Sequence, residues 1–361
     1  MNILIDIGHP GHVHLFKNFI KEMNKRNNKV VVTTKNQPTI ICLLNRCNIR
    51  YINLGNKKDS LVLKALSQIF FDYKVYNIAK KKKIDLALGT SISITHASKI
   101  SKFKSLVFNE DNAKEVPFFS KLSYPFADFI ITPDCLRFED HGKKHITYPS
   151  YHELAYLHPN NFKPDSSILK DLRVKTNERY FIIRFNLFKA HHDIGVKGIS
   201  NKKGLINFLK RKGKVFVTTE GNISEEFKKY QIKTPPEKMH SVLYYATMFI
   251  GDSQTMTAEA AVLGTPAIRC NSFVGRLSYL EELECKYRLT YGFKPAEEEA
   301  MYIKIKELLK NKNIKEEWQK RRQKMLSEKI DFTAFMVWLI ENYPESINII
   351  KNNPDYQLNF K

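Results

Sequence analysis

Gly251-Asp252-Ser253-Gln254-Thr255-Met256-Thr257-Ala258-Glu259-Ala260-Ala261-Val262-Leu263-Gly264-Thr265-Pro266 follows directly on an apolar run, Met248-Phe249-Ile250. The run reads as a buried strand and the polar residues after it as a tight loop. From about Thr255 the small and apolar residues read as a helix. Gly264 just past its end and Pro266 shortly after are a helix stop. This strand–loop–helix–strand order places Ser253, Gln254 and Thr255 at a helix N-terminus. Unpaired backbone N–H groups and the helix dipole make such a terminus an anion site, and two hydroxyls add donors suited to a diphosphate. Glu259 lies one turn into the helix. A capping-box role would need Ser or Thr three residues earlier, where Met256 stands. A carboxylate among alanines is better placed to face a ligand, and a ribose diol is a fitting partner.

The same alternation extends in both directions. Apolar runs at 3–7, 30–33, 50–52, 86–88, 106–108 and 129–131 read as strands, with helical patterns at 38–45 and 61–83 among them. A stretch from 148 to 166 with Pro149, Pro159 and Pro164 reads as a linker. The rhythm restarts with strands at 180–183, 215–217, 248–250 and 267–268 and helices at 205–210 and 241–246. Short apolar runs separated by helices predict parallel sheets covered on both faces. The expected fold is therefore α/β, with two Rossmann-like, doubly wound parallel-sheet domains facing a cleft. The expected organisation is an N-terminal domain over 1–160, a second domain over 161–335, and a helical segment over 336–361 docked back on the first. Ligands of open α/β sheets bind outside the carboxyl ends of the strands.

At 361 residues, 43% of them hydrophobic, the chain can fill two cores. It has no apolar stretch of membrane-spanning length, and its first residues do not read as a signal peptide, so a cytoplasmic location is expected. The five cysteines include no C-x-x-C pair and read as reduced, buried thiols. The formal net charge is +22, with lysine clustered at 80–83, 143–144 and 310–324. Such a surface suits anionic partners, including peripheral contact with the inner face of an anionic membrane. A lysine-, asparagine- and isoleucine-rich chain, as an AT-rich genome would encode, gives the same charge without any partner. No homeodomain, zinc-finger or RNA-recognition signature accompanies it, and nucleic acid is not expected.

The opening segment resembles the nucleotide-binding element of the non-hydrolysing UDP-N-acetylglucosamine 2-epimerases, D-S-G-G-x-Q-E-E-A…L-G-x-P. Asp252-Ser253, Glu259-Ala260 and Leu263-Gly264-Thr265-Pro266 match it, and Gln254-Thr255 replaces the glycine pair. The resemblance implies that Ser253 contacts a diphosphate and Glu259 a ribose. The whole chain, including residues 5–13, also resembles an uncharacterised prokaryotic group of GT-B glycosyltransferase-like proteins, which implies the GT-B architecture. Gly11-His12-Val13 is similar to the Gly-Gly-His-Val loop of the lipid-linked peptidoglycan N-acetylglucosaminyltransferase, a loop that lines the cleft.

His12 in that loop is the candidate proton-transfer group, since imidazole titrates near neutrality. Gly11 would line the nucleotide-sugar site. A helix start, or a metal site from His9, His12 and His14, are the other readings of the loop. No carboxylate sits nearby at ligand spacing, so no metal is expected. Glu110, in Asn109-Glu110-Asp111-Asn112, follows a strand and resembles both the H-x-E-A-G element of the epimerases and the E-Q-N element of the peptidoglycan transferase. It is a candidate general acid or base, or else part of a surface turn. Arg184 would pair with the diphosphate. His240 falls where GT-B proteins approach the base. His191-His192-Asp193 reads as a loop that could add to the site. Two departures distinguish the chain from the epimerases: Ile183 stands where they carry histidine, and Arg269-Cys270-Asn271-Ser272-Phe273 replaces their T-E-R-P-E run.

The leading expectation is a GT-B glycosyltransferase. It would take a nucleoside-diphosphate sugar, UDP-linked, through Gly11, Arg184, His240, Ser253, Gln254, Thr255 and Glu259. The acceptor would be a surface polysaccharide or lipid-linked glycan, and no cofactor would be required. A nucleotide-sugar epimerase using His12 and Glu110 is the alternative. A non-catalytic nucleotide-sugar or nucleic-acid binding protein is the third reading.

Overall fold

The computed structural model describes residues 1–56, 61–175, 177–185, 198–219 and 223–361, and for 61–65 the backbone alone. His191, His192 and Asp193 lie outside the described residues. The chain forms two compact units, one of Met1–Asn161 with Lys329–Lys361 and one of Phe162–Glu328.

In the first unit the described strands are β1 (Asn2–Ile7), β2 (Lys29–Thr34), β3 (Tyr51–Asn53), β4 (Leu86–Gly89), β5 (Lys104–Phe108), β6 (Phe129–Pro133) and β7 (His145–Tyr148). They form one parallel sheet in the order β3-β2-β1-β4-β5-β6-β7. Residues 3–7 and 86–89 are buried throughout. A strand covered by helices on both faces must be apolar on both, which is why these runs do not alternate. In the second unit β8 (Tyr180–Phe185), β9 (Lys214–Thr219), β10 (Met248–Gly251), β11 (Ala267–Cys270) and β12 (Thr290–Phe293) form a parallel sheet in the order β12-β11-β10-β8-β9. β7 and β12 escape the sequence pattern. Both are four-residue strands at a sheet edge, too short and too mixed in polarity to show a period.

The stretch 148–166, expected as a linker, is for the most part packed inside the first unit. Tyr148, Tyr151 and Leu154–Leu157 are buried. Its prolines and histidines read as loop, but Tyr148 stacks on Phe332 at 4.0 Å and Asn18 donates to the Ala155 carbonyl at 3.0 Å. The helix Phe332–Glu341 begins the segment that returns to this unit. Asp331 caps it by accepting from the Ala334 N–H, and also accepts from Asn161 Nδ2 at 2.8 Å. The chain re-enters the first unit at Lys329, ahead of the expected position 336. The buried Lys329 is held there by Asp134 at 3.1 Å.

The helix Gln254–Val262 ends as its sequence requires. Gly264 has φ +70°, the left-handed conformation that stops a helix without a Cβ penalty. A Cβ there would come within 2.5 Å of Gln319 Nε2 and 2.9 Å of Arg322 Cδ. Gly264→Ala is expected to destabilise the protein by about 1–3 kcal/mol, measured as a lower urea midpoint at unchanged slope.

Candidate functional site

In open α/β sheets the ligand crevice opens where strand order reverses. In the second unit that point lies between β8 and β10, since β9 follows β8 on one side and β11 follows β10 on the other. Gly251 of β10 is in register with Arg184 of β8. A Cβ on Gly251 would meet the Arg184 carbonyl at 2.7 Å, so glycine lets the two strand ends close up. Arg184, one residue before the end of β8, donates through Nη1 to Thr218 Oγ1 on β9 at 3.0 Å.

The helix Gln254–Val262 starts at this switch point. Ser253 is its N-cap, and its hydroxyl accepts from the Met256 N–H at 3.4 Å. An accepting hydroxyl keeps its own hydrogen to donate. Thr257 donates to the Ser253 carbonyl at 2.6 Å. From 251 to 271 every residue is buried except Gln254 and Thr255. The segment therefore meets its surroundings through the first turn of one helix, where backbone N–H groups have no intrahelical partner. Behind it, Asn271 donates to the Asp252 carbonyl at 2.8 Å and accepts from the Phe273 N–H. Arg269, fully buried, pairs with Glu281 at 3.1 Å. Within the run that replaces the epimerase motif, Asn271 thus ties the loop in place.

Glu259 and His240, both buried, meet at 3.1 Å through Oε1 and Nε2. The His240 ring also packs edge-on against Phe162. The sequence nominates both residues but gives no sign that they form a pair.

In the first unit the order reverses between β1 and β4. The loop after β1 carries the expected Gly11 and His12. His9 caps the following helix Pro10–Lys25, its Nδ1 accepting from the Gly11 N–H at 3.1 Å. His12 is half-buried in the first turn, its ring 5.7 Å from that of His9. Asp6, buried at the end of β1, accepts from Thr33 at 2.7 Å and from Ser91 just past β4. Gly89 lies against it, where a Cβ would fall 2.6 Å from the Asp6 carbonyl.

Glu110, one strand further along, sits 3.5 Å from His152 Nδ1. His152 follows β7 and is buried, as is Tyr148, whose ring lies parallel to it. Sequence reading passes over His152 because it lies within the apparent linker. Asp111, next to Glu110, has its carboxyl pushed up to about 7, by burial first and then by the charge of Glu110, with His152 opposing. A raised carboxyl pKa means that the folded state holds this proton more tightly than the unfolded chain. The resulting stability is complete at pH below the ordinary aspartate value and is lost as pH rises through about 7. Asp111→Asn should flatten that decline. Chemical denaturation across this pH range tests it, and an unchanged slope in the variant would refute it.

Both units have parallel sheets of the GT-B type. A crystal structure of UDP-GlcNAc 2-epimerase from Neisseria meningitidis bound to UDP-GlcNAc is similar, with a TM-score of 0.68 at 14% identity over 88% of this chain and 94% of that one. The glycotransferase of kitacinnamycin is similar at a TM-score of 0.63 and 10% identity, over 94% and 98%. These identities speak for the fold alone. In sequence, an uncharacterized protein of Methanocaldococcus jannaschii is 24% identical over 295 residues, 75% of this chain and 82% of the relative. The model of a family described as protein of unknown function, DUF354, matches residues 1–343. With two GT-B-type sheets and that match over nearly its whole length, the chain belongs to the DUF354 family.

Proposed function

We propose that the protein is a GT-B glycosyltransferase that takes a nucleoside-diphosphate sugar, UDP-linked, and transfers the sugar to a surface-polysaccharide or lipid-linked acceptor. The observation that carries this reading is the half-exposed first turn of the helix Gln254–Val262, set at the β8/β10 switch point beside Arg184. The diphosphate would sit on the N–H groups of Gln254 and Thr255, with donation from the Ser253 and Thr255 hydroxyls. Arg184 supplies a planar, permanently charged donor. Glu259 would accept from the ribose hydroxyls. A carboxylate accepts several hydrogen bonds at once, so the His240 contact and a ribose diol are compatible. His240 then orients the carboxylate and stands towards the base.

In the reaction an acceptor hydroxyl attacks the anomeric carbon and loses its proton to a general base, for which His12 and Glu110 are the candidates. The anomeric C–O bond breaks, and the electron pair leaves with the diphosphate. The helix terminus and Arg184 stabilise that developing charge.

A nucleotide-sugar epimerase is the second reading. It is favoured by Asp111, which holds a proton near neutrality beside Glu110. A carboxyl group that titrates near neutrality suits proton removal and return. NMR of product mixtures separates the two reactions: nucleoside diphosphate released only with acceptor, or an altered sugar without one.

Glu259→Ala should weaken nucleotide-sugar binding about ten- to a hundredfold, the equivalent of about 1.5–3 kcal/mol for a hydrogen bond to a charged group. Glu259→Gln, which keeps the shape, should lose less. Calorimetric titration with UDP-sugars is the measurement. Wild-type affinity in the alanine variant would sink the donor-site assignment.

A further inference from the structure

The helix Leu61–Lys82 is apolar on two opposite sides. Its inner side, with Phe71, Val75 and Ala79, is buried in the first unit beside Leu4, Ala87 and Phe103. Its outer side carries Leu66, Ile69, Phe70 and Tyr73, at 59%, 67%, 51% and 63% exposure. These positions are i, i+3, i+4 and i+7, so the four side chains form one continuous stripe. Single exposed apolar residues are ordinary, but a contiguous aromatic and aliphatic stripe on a helix marks a contact surface.

The charge around the stripe says what covers it. Over residues 66–83 there are five lysines, at 74 and 80–83, and one acid, Asp72. Asp72 is turned to His96, 2.7 Å from its Nδ1. The Lys74 ammonium lies over the Phe70 ring at 4.4 Å, and Lys80 to Lys83 are exposed at the helix end. His96 in turn packs against Phe126, itself partly exposed. A second copy of the chain would bring this lysine rim against itself, since a two-fold contact is self-complementary. A nucleic acid would leave the apolar stripe in water. Among the described residues no helix is long and apolar enough to cross a membrane.

We infer that the outer face of the helix Leu61–Lys82 is an interfacial anchor that seats the first unit on an anionic lipid bilayer. Leu66, Ile69, Phe70 and Tyr73 enter the boundary between headgroups and acyl chains, and Lys80 to Lys83 lie on the lipid phosphates. Apolar burial and attraction to anionic lipid add in such a surface helix. The anchor does not depend on the donor-site reading.

Co-sedimentation of the full chain with vesicles of equal parts phosphatidylglycerol and phosphatidylcholine, against pure phosphatidylcholine, tests it. Binding is expected to favour the anionic vesicles and to weaken with added salt. Ile69→Ser/Phe70→Ser/Tyr73→Ser should lower the partition coefficient about tenfold or more. These side chains are exposed, so circular dichroism of the variant should match wild type. Lys80→Gln/Lys81→Gln/Lys82→Gln should remove the preference for anionic lipid. Glu259→Ala should sediment as wild type does, and the serine variant should titrate with UDP-sugars as wild type does, which separates failure of the anchor from failure of the donor site. Equal partitioning of wild type and serine variant would overturn the inference. So would a wild-type dimer in sedimentation velocity that the serine variant abolishes, with neither protein binding vesicles.

Discussion

The helix Gln254–Val262 has almost no solvent face, so its unsatisfied backbone groups must find partners inside the second unit. At its C-terminus they do. Arg322 Nε donates to the Val262 carbonyl at 2.9 Å, and Gln319 Nε2 to the carbonyls of Leu263 and Gly264 at 3.0 Å. Lys315 reaches the Tyr244 carbonyl and Thr265 Oγ1. Burial, with a smaller contribution from the charge of Arg322, lowers its ammonium to about 7. The helix Ile314–Glu328 thus supplies cationic and amide donors to the negative end of the dipole. With that end closed, the free end of the helix is the one at the switch point, where Gln254 and Thr255 emerge. Buried behind them, the tie from Asn271 to Asp252 holds the loop.

The two sheets present different chemistry at their reversal points. In the second unit it is donors and positive potential: a helix N-terminus, an arginine and hydroxyls. The first unit, at and near its reversal point, offers imidazole and carboxyl groups: His12, the Glu110–His152 pair and Asp111. Tyr148 Oη and His152 Nε2 are buried there without a hydrogen-bond partner among the described residues.

Much of the fold was legible because parallel sheets covered on both faces leave a simple trace. The runs at 3–7, 86–88 and 248–250 are apolar without alternation, and each proves to be a central strand. The stop at Gly264 was equally plain, since only glycine accepts that backbone conformation cheaply. Edge strands such as His145–Tyr148 have a covered face and a partner on one side only, so they carry a weak pattern. The segment 148–166 misled for a related reason. Proline and histidine signal loops locally, but Tyr148 and His152 stack on Phe332 of the returning C-terminal helix and are buried.

The sequence by itself determined the two parallel α/β units, the helix N-terminus at Ser253 and the nomination of Glu259, Arg184, His240 and Glu110. Strand period, capping chemistry and glycine placement act over a few residues, and a linear reading captures them. Only the tertiary structure decided who meets whom. His240 reaches Glu259, His152 reaches Glu110, and the outer side of the helix Leu61–Lys82 stays exposed while its inner side is buried. Those outcomes depend on how sheets and helices pack at long range, and periodicity alone does not distinguish an apolar face that finds a core from one that does not.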